Sequence, residues 1–190
     1  MKVGLYFGSF NPVNAGHLII ANHLLNETEL EKIWFIVSPQ NPFKANHSLL
    51  NEYDRLHLLK AACEDDPRIK VSDIEFSLPK PSYTSVTLAH LREKYPANEF
   101  SIIMGADSFQ NLDKWKNVES IISNHSIYVY PRPGFPVNNS LHANLVVADA
   151  PLLEISATAV RKLIKEGKSI RYLVPDRVRE EIEKGNYFRK

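Results

Sequence analysis

The sequence predicts an α/β domain built on a doubly wound parallel sheet, and three observations carry that reading. Short apolar runs alternate with helical patterns from the first residue onward. The runs are continuously apolar, as in strands covered on both faces, rather than alternating between apolar and polar. No composition shift, repeat or low-complexity tract divides the 190 residues, so a single domain over 1–190 is expected.

Taken in order, Lys2–Phe7 reads as a buried strand, GSFNPVNAG as a turn, and His17–Leu25 as a helix. Lys32–Ser38 (KIWFIVS), rich in aromatic and β-branched residues, is a second strand, and Pro39–Ser48 is a Pro/Asn loop. Tyr53, Leu56, Leu59 and Cys63 then fall on one helical face. Ile69–Phe76 alternates and reads as a shorter strand leading into LPKPSY. Leu88, Leu91 and Tyr95 mark another amphipathic helix. Phe100–Met104, Ser126–Tyr130 and Asn144–Ala148 are the remaining strands. Ser156–Glu166 is a helix closed by Gly167, and Arg177–Lys184 a last one closed by Gly185. Sheets of this kind bind ligands beyond the carboxyl ends of their strands, which singles out the segments after Phe7, Ser38, Met104 and Ala148.

Composition narrows the chemistry. The single cysteine, Cys63, excludes an internal disulfide and a cysteine-based zinc cluster, and it suggests a reduced, cytoplasmic setting. Net charge of +1 argues against a protein that coats nucleic acid. No apolar stretch approaches the ~20 residues of a membrane span, and the N-terminus turns polar too soon for a signal peptide. Neither carboxylates nor histidines cluster with metal-ligand spacing, so no protein-held metal is expected. Homo-oligomer formation is left open.

The first turn, Gly8-Ser9-Phe10-Asn11-Pro12-Val13-Asn14-Ala15-Gly16-His17, joins a strand end to a helix start, where backbone N–H groups make an anion site. A histidine there opposes the helix dipole unless an anion lies close. On spacing alone it is equally an ordinary turn with a surface histidine. The stretch resembles the nucleotidyltransferase signature G-x-F-x-P-x-[HT]-x-G-H, and Ile155-Ser156-Ala157-Thr158-Ala159-Val160-Arg161 resembles that superfamily's second motif, I-S-[SA]-T-x-[IV]-R. The alternative there is a capped surface helix. The resemblance implies a Rossmann-like nucleotidyltransferase fold in which His17 and Arg161 face the ATP phosphates. It further implies that Gly8, Ser9, Phe10, Asn14, Gly16, Ser156 and Thr158 line the ATP site. Asn14 departs from the family's His or Thr. An uncharged amide donor is weaker than a charged one by about 1 kcal/mol, which would slow the reaction roughly tenfold.

Three inner stretches resemble the nicotinate mononucleotide adenylyltransferases within that superfamily. Asn41-Pro42-Phe43-Lys44 matches their N-P-x-K loop, Pro81-Ser82-Tyr83-Thr84 their P-S-Y-T segment, and Gly105-Ala106-Asp107 with Trp115 their G-x-D…W stretch. These matches imply Lys44 as a catalytic point charge on the ATP phosphates, with Gly105 and Asp107 at ATP. They also imply Tyr83, Thr84, Trp115 and Lys116 around nicotinate mononucleotide, with Trp115 stacked on the pyridine ring. Read without the resemblance, Lys44 is a solvated loop residue, Thr84 or Ser85 a helix cap, and Trp115 a core anchor. The related phosphopantetheine adenylyltransferases lack the Tyr-Thr and Trp115 features, and class I tRNA synthetases are far longer. The implied reaction is ATP plus nicotinate mononucleotide giving deamido-NAD and pyrophosphate, with Mg²⁺ carried on the ATP phosphates. Preference for nicotinamide mononucleotide, or a non-catalytic adenine-nucleotide sensor, are the alternatives.

Overall fold

The computed structural model describes residues 1–40, 49–151 and 154–189. Six parallel strands form one sheet: β1 (Lys2–Gly8), β2 (Lys32–Val37), β3 (Ile69–Ser72), β4 (Glu99–Gly105), β5 (Ile127–Tyr130) and β6 (Leu145–Val147). Their spatial order is β3-β2-β1-β4-β5-β6. The chain thus winds outward one way from β1 and then, starting again at β4, outward the other way. The crevice between the carboxyl ends of β1 and β4 is the switch point where such sheets bind ligands.

Both faces are covered, as the continuous apolar runs require. Side chains alternate by parity along each strand. Tyr6, Phe35, Ile103 and Tyr128 face one core, shared with α1 (Ala15–Glu27), α2 (Glu52–Cys63), α6 (Ala157–Lys165) and α7 (Asp176–Gly185). Leu5, Trp34, Ile102 and Val129 face the other, under α3 (Thr84–Lys94) and α5 (Val118–Asn124). No helix among the described residues is long and apolar enough to cross a membrane.

The local differences from the sequence reading have physical causes. The Ile69–Phe76 strand stops at Ser72, because Asp73 starts a 3₁₀ turn over Ile74–Ser77 that buries Ile74 and Glu75. Short helical pieces at α4 (Ala106–Phe109), Leu112–Lys114 and α5 were not foreseen, since they are too brief to show a 3.6-residue period. Gly167 does close α6: at φ 67 it lets its own N–H reach Ile164 O and the Lys168 N–H reach Leu163 O. Gly185, by contrast, remains inside α7, and Asn186 takes the left-handed position at φ 51. Asparagine tolerates that conformation better than most side chains do.

One buried side chain ties the loops at the switch point together. Arg55 of α2 is only 1% exposed. Its guanidinium donates to four backbone carbonyls: Leu50 at 2.8 Å, Ser9 at 2.6 Å, Ser38 at 2.8 Å and Pro39 at 3.2 Å. The turn after β1, the loop after β2 and the approach to α2 therefore share one donor. Burial pushes the Arg55 pKa down to about 10, so it remains a cation at neutral pH. Arg55→Met leaves those carbonyls unpaired, and each buried orphan costs about 1–3 kcal/mol. Thermal unfolding followed by circular dichroism is expected to show a Tm lowered by roughly 6–12 °C, and Arg55→Lys, which lacks the planar fork, is expected to fall most of the way with it.

Candidate active site

The first turn is shaped by aromatic packing. Phe10 takes a left-handed backbone, φ 45, and swings its ring back over Gly8. A Cβ at Gly8 would stand 2.8 Å from that ring, so glycine is required by close approach. The Phe10 ring packs edge-on against His17 at 5.1 Å and Phe35 at 5.2 Å. His17 Nδ1 accepts the Asn14 backbone N–H at 3.1 Å. The neutral imidazole accordingly carries its proton on Nε2, which makes that nitrogen the donor. Asn14 is 1% exposed, and its Oδ1 has no hydrogen-bond partner among the described residues. The helix start offers less backbone than its sequence suggests, because the Ala15 N–H is already given to Leu173 O at 2.8 Å.

The second motif comes alongside from the other end of the chain. Ser156 caps α6, its Oγ accepting the Ala159 N–H at 3.1 Å. Arg161 donates through Nη1 to Asn11 O at 2.7 Å and through Nη2 to Thr158 Oγ1 at 3.3 Å. Burial lowers the Arg161 pKa from its ordinary value. Ser9, Phe10, Asn14, His17, Asp107, Ser156, Thr158 and Arg161 all line one cleft of ≈ 640 Å³, within the range of small-molecule sites. Gly16 does not line it. Gly16 is buried, and a Cβ there would stand 3.1 Å from Asn14 Oδ1, so its small size leaves room for that amide.

A second, narrower pocket adjoins the first. Tyr83, Thr84, Trp115 and Lys116 all line it, together with Gly105. Lys116 Nζ stands 4.6 Å from the centre of the Tyr83 ring. Trp115 is half-buried and packs against the core under α3 and α5, so the anchor and pocket-wall readings of this residue coexist. Helix α3 starts without a side-chain cap at Tyr83, and Ser85 Oγ is buried with no hydrogen-bond partner among the described residues, so neither Thr84 nor Ser85 caps it there. Glu75 also lines the pocket. Its Oε1 accepts from Thr87 Oγ1 at 2.8 Å, and burial raises its carboxyl above the ordinary range.

Where the pockets meet, Tyr6, Phe7, Gly8, Ser108 and Tyr130 line both. The Tyr6 hydroxyl donates to the Tyr130 hydroxyl at 3.0 Å, and burial keeps the Tyr6 pKa well above its ordinary value. A Cβ at Gly105 would lie 2.4 Å from Asp107 Oδ1 and 3.1 Å from the Tyr130 ring. Arg132 stands beside them, 3.8 Å from Asp107 and 5.3 Å from the Tyr130 ring centre. Its Nε has no hydrogen-bond partner among the described residues.

Lys44 lies outside the described residues. The sequence reading missed Arg132, Tyr130, Tyr6, Glu75 and Arg55. A signal for Arg132 existed: Tyr130-Pro131-Arg132-Pro133-Gly134 follows the carboxyl end of a strand, where ligands are expected, yet that end was passed over. Among the described residues no group of three His, Cys, Asp or Glu is arranged to hold a metal ion.

Known proteins similar to this chain share one kind of name. Relatives named "Probable nicotinate-nucleotide adenylyltransferase" include one from Flavobacterium johnsoniae, 52% identical over 193 residues and all of both chains. Another, from Cytophaga hutchinsonii, is 51% identical over 99% of this chain and 98% of its own. Among solved structures, the Plasmodium falciparum nicotinic acid mononucleotide adenylyltransferase complexed with NaAD superposes with a TM-score of 0.84. It is 19% identical, over 98% of this chain and 97% of that one, and so bears on the fold. The sequence model of the cytidylyltransferase-like family matches residues 5–163, and with that match the chain belongs to the cytidylyltransferase-like family.

Proposed function

We propose that this chain transfers the AMP unit of ATP to nicotinate mononucleotide, giving deamido-NAD and pyrophosphate. The observation that carries the reading is the pair of adjoining pockets at the switch point: a cationic cleft sharing one wall with an aromatic pocket. A triphosphate suits the first and a flat pyridine ring the second, so the two phosphates would meet at the common wall. The relatives' names point to the same reaction.

The attacking group is itself a phosphate, with a second pKa near 6. Already largely dianionic at neutral pH, it needs no general base. One of its oxygens forms a bond to the α-phosphorus of ATP while the bond to the bridging oxygen of the leaving pyrophosphate breaks. Catalysis then consists of alignment and charge neutralisation. His17 supplies a donor from Nε2, and Arg161 and Arg132, which line the same cleft, supply charge. Lys44 would add a point charge. Asp107 is placed for ribose hydroxyls, and Trp115 offers the face on which the pyridine ring stacks. Mg²⁺ carried on the ATP phosphates would supply further neutralisation, with Asp107 and Glu154 as the carboxylates lining the cleft.

Pyrophosphate release from ATP with each mononucleotide in turn tests the reading. Turnover with nicotinate mononucleotide, at a kcat/KM at least about tenfold above that for the nicotinamide compound, is expected. Adenylylation of the amide alone, or of neither, would overturn it. His17→Ala is expected to lower kcat about 10²–10⁴-fold while ATP affinity, measured by titration calorimetry, survives. Trp115→Ala is expected to raise the KM of nicotinate mononucleotide roughly tenfold, consistent with about 1–2 kcal/mol of stacking, and to change that for ATP much less.

A further inference from the structure

At the wall shared by the two pockets a pair of hydroxyls is joined in an unusual way. Tyr6 is on β1 and Tyr130 on β5, with β4 between them. Gly105 makes their meeting feasible, because any side chain there would crowd the Tyr130 ring at 3.1 Å. The Tyr6 ring packs against the Phe10, His17 and Phe35 rings, with centroids 5.8, 6.0 and 5.2 Å away. Its proton goes to the Tyr130 oxygen, 3.0 Å away.

A tyrosine hydroxyl has one proton and two lone pairs. The Tyr130 oxygen is thus occupied as an acceptor by Tyr6, and among the described residues no acceptor takes the Tyr130 proton. An O–H whose oxygen already accepts a hydrogen bond is polarised into a better donor. Tyr130 lines both pockets, with Gly8 and Ser108 beside it. The neighbouring cations Arg132 and Arg161 neutralise charge there, whereas a neutral hydroxyl adds direction.

We propose that Tyr130 touches substrate: oriented by Tyr6, its hydroxyl donates to a phosphate oxygen at the point where the two pockets meet. Tyr6 is the positioning residue of the pair. The inference rests on the adenylyl-transfer reading above and deepens it by naming a donor at the reacting centre.

The test compares Tyr130→Phe with the double variant Tyr6→Phe/Tyr130→Phe. The single change keeps the ring but strands the Tyr6 hydroxyl without an acceptor, so Tm is expected to fall by several degrees. The double change removes both hydroxyls, and Tm is expected to return to within roughly 2 °C of wild type. In both variants kcat for pyrophosphate release is expected to stay about 10- to 100-fold down, with the KM for ATP within about threefold. Recovery of kcat along with Tm in the double variant would show a structural strut and overturn the proposal, as would wild-type kcat in Tyr130→Phe. A wild-type protein that releases no pyrophosphate with nicotinate mononucleotide overturns the adenylyl-transfer reading itself, and this inference falls with it.

Discussion

The site depends on one arginine that spends its guanidinium on backbone carbonyls. Arg55 lies beneath the loops at the carboxyl ends of β1 and β2 and gathers four of their carbonyls into one fork. Withdrawing a guanidinium from water is costly, and charge-assisted hydrogen bonds of about 1.5–3 kcal/mol each are what offset it. The connection runs on from there. The Leu50 N–H donates to Asn11 Oδ1, Asn11 O accepts from Arg161, and Arg161 reaches Thr158. A helix on the far side of the cleft is therefore registered against the first turn through a chain of polar contacts. Backbone dipoles take the hydrogen bonds of Arg55, and its charge contributes to the field beneath a site that suits polyphosphate.

This placement gives the near-neutral composition a spatial meaning. A net charge of +1 hides a division between cleft and surface. Arg132 and Arg161 converge on one crevice, where His17 adds a neutral donor. Many other cations are spent against acids elsewhere, as in the pairs Arg68–Asp66, Lys80–Glu52 and Arg179–Glu183. Two small substrates need few counter-charges, and those few are held close together.

Much of this was legible in the residues and some was not, for reasons that can be stated. Strand and helix alternation shows because apolar periodicity is a local signal. The two phosphate-type helix starts show because each is a contiguous stretch. Arg55 was invisible, since a lone arginine on an amphipathic helix reads as solvated and its carbonyl partners are backbone atoms. Tyr6 and Tyr130 read as ordinary strand aromatics, and only the sheet order brings them together across Gly105. Glu75 was hidden within an apparent strand that turns out to be a 3₁₀ turn. Asn186 displaced Gly185 as helix terminator because where a helix stops is settled by which residue adopts positive φ, and asparagine qualifies as well as glycine.

The bond from Arg161 to Asn11 spans 150 positions of the chain. Contacts of such separation form late, because the entropy of closing the intervening loop must be met before they return anything. On the ribosome the chain emerges from its N-terminus. The first turn, made almost at once, must wait for Arg161 and then for Leu173, whose carbonyl accepts the Ala15 N–H. A nascent or truncated chain can own the whole N-terminal signature and still have no cleft. Substrate would meet a formed cleft only once the chain through Leu173 has folded back onto the first turn.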